Sequence, residues 1–313
     1  MGRRGHLWIG IALLVLLFAV VHFEIGWNRL LVPWVSISPA SLLVAVVLTL
    51  ASYVARTIRV YDYFLPETNG GFSACLKLTL FHNLLNNLLP MRSGETSFPV
   101  LMRRYFLMPL PQSIAALLWF RVMDLHALIA IGLAALWSRW LPQWQVVCLL
   151  ILWLGLAWLL FHLQQKSAFS AIGNRLPPRW KLRFAQANAG LPQTRGAFLR
   201  AFVWTVANWV VKLGIFAWIL TLFTPMPAAA ALIGAIGGDL TTVLPFHGVA
   251  GAGTYEAGVV SALVPFGISS DAALMAAVNL HLFVLGSSLI GGGFGLLLRH
   301  EVKSLPVLLD PQQ

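Results

Sequence analysis

Long runs of apolar residues are the feature that most constrains how this chain folds. Of its 313 residues, 59% are hydrophobic and only 10% are charged, whereas typical soluble proteins have about 25% charged residues. A run of about 20 apolar residues is long enough to cross the hydrocarbon layer of a bilayer as a helix. The sequence therefore predicts an all-α, polytopic membrane protein with one membrane domain over residues 1–313.

Six runs have the length of a complete span, and two further apolar stretches are interrupted. The predicted spans are residues 7–23, 40–64, 113–137, 143–163, 200–223 and 271–298. The interrupted stretches are residues 72–104, with breaks at Pro90 and Gly94, and residues 227–266, with breaks at Pro245 and Gly248. Proline removes a backbone donor and glycine permits a tight turn, so each stretch is expected to bend into a helical hairpin.

The distribution of lysine and arginine predicts the orientation in the membrane. The net charge is +11, and residues 164–200 contain seven basic residues and no acidic one. Because cytoplasmic loops are enriched in basic residues, a basic loop at residues 164–199 and both termini are expected in the cytoplasm of a bacterial inner membrane. Because successive loops must alternate between the two sides of the membrane, each interrupted stretch has to enter and leave on the same face. Residues 72–104 are therefore expected to be re-entrant from the cytoplasmic face, and residues 227–266 from the opposite face. No solvated basic domain is present, so binding of nucleic acid is not expected.

Two units of the chain share one pattern of span, interrupted stretch and span. These units are residues 40–137 and 200–298. Arg56 and Lys212 lie 34 and 33 residues before the prolines of the two breaks, and Asp124 and Asn279 each lie 34 residues after them. Because the charge rule gives the units opposite orientations, they are predicted to form an inverted repeat. Secondary transporters have this architecture, with a site near the midplane.

Several ionisable residues are expected inside the membrane, where each costs about 2.5–3.5 kcal/mol on insertion scales and so implies a partner or a function. Arg56 and Arg59 are placed nearer a membrane edge. The candidate contacts of an anionic headgroup are Arg92, Arg121, Lys212, Asn86 and Asn87. The acids expected to hold the hairpins and the basic residues in place are Glu95, Asp124, Asp239 and Glu256.

Two of the basic residues have alternative roles. Arg121 and Asp124 are three residues apart and share a helix face, so they either neutralise each other or leave Arg121 to meet a headgroup. Lys212 either pairs with Asp239 or Glu256, or binds a phosphate.

The first break has the features of an anion site. Pro90 ends one half-helix and Gly94 permits the turn, while Ser93 can cap the next half-helix with Glu95 in its first turn. The N-terminus of a half-helix favours anions, and Arg92 would strengthen the site.

No motif predicts a cofactor, a metal site or a catalytic centre. Cys75 and Cys148 lie in apolar runs without metal-ligand spacing, and the glycine-rich run at residues 248–253 lacks the Lys-Ser/Thr of a phosphate-binding loop. We therefore expect a protein that is not an enzyme and needs no cofactor.

The motif at residues 86–95, followed by Arg121-x-x-Asp124, resembles the lysylphosphatidylglycerol synthase/flippase transmembrane family, in which Asn-x-x-x-Pro-x-Arg-x-Gly-Glu is common. The glycine-rich run that ends at Glu256 adds a weaker resemblance. The family implies a lipid flippase built on inverted repeats with re-entrant helices. The chain ends at Gln313, so the soluble aminoacyl-transferase domain of the fused synthases, and synthesis of lysyl-lipid, are not expected. Residues 96–99 stand where the family often has an arginine. This difference leaves the identity of the lipid headgroup open.

These observations predict a flippase-like protein that translocates or binds an anionic lipid, either a phospholipid or a polyprenyl phosphate, at a midplane site. Membrane lipids are the expected partners, and a homo-oligomer or a complex with an envelope-biosynthesis enzyme stays open. The alternatives are a lipid-linked transferase and a non-transporting partner of an enzyme of envelope lipids or glycans.

Overall fold

The computed structural model describes residues 15–19, 21–69, 71–138, 140–165, 173, 175–242 and 249–298. Helices are the regular secondary structure of these residues. By length and composition, five helices in the described part can cross a membrane. A sixth span results if Val15–Phe23 and Trp27–Ser36, which meet at 82°, count as one. The prediction of an all-α protein with about six spans is confirmed at this level.

We number the principal helices in chain order. They are α1 (Trp27–Ser36), α2 (Pro39–Tyr63), α3 (Phe72–Leu88), α4 (Ser97–Phe106), α5 (Leu110–Trp137), α6 (Gln143–Gln165), α7 (Pro178–Ala189), α8 (Arg195–Phe223), α9 (Ala228–Thr241), α10 (Thr254–Leu263) and α11 (Ser270–Leu297). The five long apolar helices are α2, α5, α6, α8 and α11.

The five long helices match the predicted spans to within five residues at each end. The largest difference is the start of α8, which begins at Arg195 because the side chain of Thr194 accepts a hydrogen bond from the backbone N–H of Ala197 at 3.1 Å. A polar side chain at this position satisfies a free N–H group of the first turn. The predicted span at residues 7–23 lies largely outside the described residues.

The first interrupted stretch folds back on itself at the predicted break. After α3 the chain forms a 3₁₀ segment, Pro90–Thr96, and then α4. A Cβ atom on Gly94 would overlap the backbone of Leu85, so only glycine permits this close return to the end of α3. The proposed N-cap at Ser93 is wrong, because the 3₁₀ segment delays the α-helix and places Thr96 at the N-cap position.

The second interrupted stretch is a tightly packed helix pair, α9 and α10. A Cβ atom on Gly237 would meet the carbonyl oxygen of Gly258, and one on Gly258 would meet the carbonyl oxygen of Gly237. Such small residues let two helix backbones approach closely. The predicted breaks at Pro245 and Gly248 lie outside the described residues.

The two units pack against each other through their long helices. Helix α8 packs on α2 and α9, and α11 packs on α3. The largest apolar core, which includes Leu213, Ile219 and Leu280, fills the space between α8, α9, α10 and α11. A second core, around Phe64, Met102 and Phe120, joins α3, α4 and α5. The side chains that face the space between these two cores form the site described below.

The basic segment at residues 164–199 contains an exposed helix, α7, and is therefore not a simple loop. Its end is docked on the long helices, since the hydroxyl of Tyr63 donates to the carbonyl oxygen of Gly190 at 2.9 Å. Gly190 also lies against the backbone of Gln112, where a Cβ atom would overlap the carbonyl group. The basic segment therefore packs against both the C-terminal end of α2 and the start of α5.

Candidate functional site

A polar cleft of about 950 Å³ lies between the two units. Helices α2, α3, α5, α8, α9, α10 and α11 and the 3₁₀ segment after α3 contribute side chains to its wall. Of the predicted site residues, seven line it: Asn86, Asn87, Glu95, Arg121, Asp124, Lys212 and Asp239. The side chain of Arg92 lies outside the described part of the structure. Residues far apart in sequence are therefore brought into one chamber within the span region.

Arg121 is held by two carboxylates. Its Nη2 and Nε atoms lie 2.5 and 3.1 Å from the two carboxylate oxygens of Glu95, and its Nη1 lies 3.3 Å from Oδ2 of Asp124. Two parallel N–H···O bonds of this kind are among the stronger ion-pair geometries. The guanidinium therefore joins α5 to the turn after α3. Of the two roles considered for Arg121, the structure shows the ion pair with Asp124. It also shows a second carboxylate partner, Glu95.

Asp124 connects three long helices. Its Oδ1 atom accepts hydrogen bonds from Nη1 of Arg59 at 2.6 Å and from Nε1 of Trp209 at 3.1 Å. Arg59 also donates to Oγ1 of Thr205 at 2.9 Å and lies over the ring of Phe120. The side chain of Arg59 is buried against α5 and α8, and its placement nearer a membrane edge stays a prediction.

Lys212 pairs with Asp239, which is one of the partners that the sequence allowed. Its Nζ atom lies 2.8 Å from Oδ1 of Asp239 and sits over the rings of Trp209 and Phe216 at 4.9 and 5.0 Å. The pair links α8 to α9. Oδ2 of Asp239 is buried and has no hydrogen-bond partner among the described residues.

Glu256 does not line the polar cleft, but it contacts His281, which does. Its Oε1 atom lies 2.6 Å from Nδ1 of His281, and its Oε2 accepts from the backbone N–H of Gly253 at 2.7 Å. On the other side of the ring, Nε2 of His281 lies 2.8 Å from the carbonyl oxygen of Ala250. Because a carbonyl only accepts, Nε2 is the donor in this contact and Nδ1 faces Glu256. This set joins α10, α11 and the turn before α10.

Arg56 is the cation of the cleft whose partner in the described residues is neutral. Its Nη1 donates to Oδ1 of Asn83, and no carboxylate of the described residues lies within ion-pair distance. In the described structure three cations line the cleft, Arg56, Arg121 and Lys212, and so do three carboxylates, Glu95, Asp124 and Asp239. Arg121 and Lys212 each contact a carboxylate of the cleft, whereas Arg56 contacts the amide of Asn83.

Three residues that line the cleft carry a buried polar atom without a partner. Among the described residues, these atoms are Oδ1 of Asn86, Oδ2 of Asp239 and the hydroxyl of Tyr255. Asn87, in contrast, donates to Oγ of Ser288 at 2.5 Å and so links α3 to α11. Buried polar atoms are nearly always paired in folded proteins. In this conformation the three atoms lie behind the cleft surface, so a ligand reaches them only when the surrounding side chains shift.

The sequence spacing did not identify every residue of the site. Arg56 and Lys212, which match in their distance from the two prolines, do line one cleft. Asp124 and Asn279 match in the same way, yet Asn279 accepts from Nε1 of Trp34 at 2.7 Å and donates to the carbonyl oxygen of Leu30 at 3.1 Å. Asn279 therefore anchors α1, and equal spacing did not give equal roles. This spacing was the sequence feature that connected Arg56 with the site.

Searches among curated proteins and among solved structures find no match to this chain. A family model described as Lysylphosphatidylglycerol synthase TM region matches residues 7–292. The match includes every residue of the polar cleft, from Tyr53 to Leu285, and all but the last residues of α11. Because it extends over most of the 313 residues, the chain belongs to the family of the lysylphosphatidylglycerol synthase transmembrane region, a membrane family related to lipid handling.

Proposed function

We propose that the protein binds the phosphate of an anionic lipid through Arg56 and moves this lipid across the membrane. The observation that carries the proposal is the unequal pairing of the cations in the cleft. Arg121 and Lys212 each contact a carboxylate, whereas Arg56 contacts the amide oxygen of Asn83.

The energetics support an anionic occupant. A cation within a membrane span is costly unless an opposite charge or water meets it, and Arg56 lies well inside α2. A guanidinium binds phosphate oxygens through two parallel hydrogen bonds, which makes arginine well suited to a phosphate ligand. A lipid phosphate beside Arg56 would therefore give this guanidinium a directly contacting anionic partner.

The unpaired acceptors support a headgroup that carries hydroxyl groups besides its phosphate. The oxygens of Asn86 and Asp239 accept hydrogen bonds, and the hydroxyl of Tyr255 can accept or donate. When side-chain shifts expose these atoms, a headgroup such as glycerol would donate to them. A phosphatidylglycerol molecule offers both the phosphate and the hydroxyl donors.

Two ion pairs supply the mechanical connections for movement. Arg121 and Glu95 join α5 to the first folded-back stretch, and Lys212 and Asp239 join α8 to the second. In transporters with broken helices, access to a central site alternates when such elements shift against the long helices. We infer that the headgroup binds between the two pairs and that exchange of these contacts opens the cleft to either side.

The test uses the full chain in vesicles of phosphatidylcholine that contain a few per cent of fluorescent phosphatidylglycerol. Translocation is measured as the fraction of label that an impermeant reductant can reach, and binding is measured on the purified protein. Arg56→Gln should weaken binding about tenfold or more, because a charged hydrogen bond contributes about 1.5–3 kcal/mol. Arg200→Gln is the matched control, since Arg200 pairs with Asp62 at 2.9 Å and is 57% exposed.

Equal binding of phosphatidylglycerol by the wild type and Arg56→Gln would disprove the phosphate assignment. Arg56-dependent binding without translocation would support the non-transporting alternative. Formation of a new lipid product by the purified chain would support the transferase alternative.

A further inference from the structure

A second cleft, of about 550 Å³, adjoins the polar cleft and has an apolar wall. Its apolar side chains come from the segment before α1, from the first residue of α1 and from α11: Leu17, Phe18, Val21, Trp27, Val278 and Leu282. Val21 and Val278 are buried against each other with Leu30, so the segment is packed on α11. We call this cleft the chain groove.

The polar groups at the chain groove point their hydrogen-bonding atoms elsewhere. Glu256 and His281 line it, but both oxygens of Glu256 and both ring nitrogens of His281 are already engaged by each other, Gly253 and Ala250. Nε1 of Trp27, on the opposite wall, donates to Nδ1 of His22 at 3.2 Å. The groove therefore offers carbon surfaces to an occupant, which suits a hydrocarbon chain.

The groove adjoins the headgroup site. Ala250, His281 and Leu285 line both the polar cleft and the chain groove. A molecule with its phosphate at Arg56 could therefore extend past His281 without leaving the protein surface. Lipids have this combination of one polar end and a long apolar chain.

We propose that the chain groove binds one hydrocarbon chain of the lipid whose phosphate meets Arg56. The inference rests on the proposed function and adds the path that the chain takes. Transfer of a chain from the bilayer to the groove exchanges one apolar environment for another, so the groove contributes mainly position. It holds the lipid on the side of α11 that faces the segment Val15–Phe23.

The position of the hydrocarbon chain on the protein is measured by photocrosslinking. The full chain is placed in phosphatidylcholine vesicles with phosphatidylglycerol that carries a diazirine in one acyl chain, and the labelled residues are identified by mass spectrometry. A polyprenyl phosphate with the same label forms a second arm and separates the two sources of a phosphate-bearing chain. We expect labelling at Leu282 that Arg56→Gln reduces at least fivefold (about 1 kcal/mol or more) for one of the two lipids. Labelling at Leu289 serves as the control, because Leu289 lies seven residues further along α11, is 55% exposed and does not line the groove.

A pair of variants tests the groove independently of Arg56. Leu282→Trp fills the groove and should lower lipid labelling of the other groove residues about tenfold, as overpacking of a formed site does. Binding itself should change little, because the displaced chain returns to the bilayer. Leu289→Trp adds the same bulk outside the groove and should leave both unchanged. Equal responses of the two variants, or labelling at Leu282 that tracks labelling at Leu289, would overturn the chain groove while leaving the phosphate site intact. An effect of Leu282→Trp with none of Arg56→Gln would support the groove and disprove the phosphate assignment.

Discussion

Nη1 of Arg59 on α2 lies 2.6 Å from Oδ1 of Asp124 on α5, and the two side chains are only 5% and 6% exposed. Asp124 also binds Arg121 and Trp209. The pair is therefore the centre of a buried network that fixes α2, α5 and α8 around the polar cleft.

Removal of both partners of this pair should cost less stability than the sum of the two single removals. Arg59→Met leaves the charge of Asp124 less compensated, and loss of one member of a buried pair costs about 3–5 kcal/mol. The double variant Arg59→Met with Asp124→Asn should lose less stability than the sum of the single variants. Thermal unfolding in detergent measures this, and strictly additive losses would show that the two residues do not act as a pair.

Arg121→Lys should loosen the turn after α3. A lysine ammonium lacks the planar fork with which Arg121 reaches both Glu95 and Asp124, so at least one of these contacts is lost, at a cost of about 1–3 kcal/mol. We expect faster hydrogen exchange in Pro90–Thr96, whereas Arg200→Lys should leave this segment unchanged. Unchanged exchange in the Arg121 variant would mean that other contacts hold the turn.

Glu256→Gln should preserve the structure better than Glu256→Ala. The glutamine oxygen can accept from the N–H of Gly253 while its amide donates to Nδ1 of a neutral His281, so both contacts persist. Alanine removes both contacts and should cost about 1–3 kcal/mol. Unfolding midpoints of the two variants give the comparison, and equal midpoints would contradict the assigned contacts.

The close approach of α9 and α10 predicts opposite effects for two glycine variants. Gly258→Ala places a methyl group against the carbonyl oxygen of Gly237 and should cost about 1–3 kcal/mol or more. Gly214→Ala, in α8 with open space around the site, should be neutral or stabilising by about 0.5–1 kcal/mol. Similar unfolding midpoints for the two variants would show that the helices separate easily.

The sequence predicted the long helices well because a membrane span has one dominant requirement, a run of apolar residues of sufficient length. The fold-back after α3 was also predictable, since Pro90 and Gly94 have strong local effects on the backbone. Which charged side chains pair with each other was not predictable in the same way. The spacing of Arg121 and Asp124 gives their shared face, but it does not show that Glu95 or Arg59 lies opposite.

The proposed role of Arg56 was not predictable for the same reason. Its role depends on which charges surround it, and these come from helices that are distant in sequence. Asn279 shows the converse, because a residue at the expected spacing packs on α1 instead of the cleft. The inverted orientation of the two units, the re-entrant character of the two stretches and the contribution of Arg92 stay predictions.

The most direct test of the account is ligand-dependent stabilisation of the purified full chain. A lipid that binds the folded state raises its unfolding temperature, and the stabilisation grows with the logarithm of the ratio of lipid concentration to Kd. Phosphatidylglycerol should raise the unfolding temperature of the wild type and of Arg200→Gln, and should raise that of Arg56→Gln by much less, while phosphatidylcholine has little effect on any of them. An equal rise in the wild type and Arg56→Gln would contradict the claim that Arg56 binds the lipid phosphate.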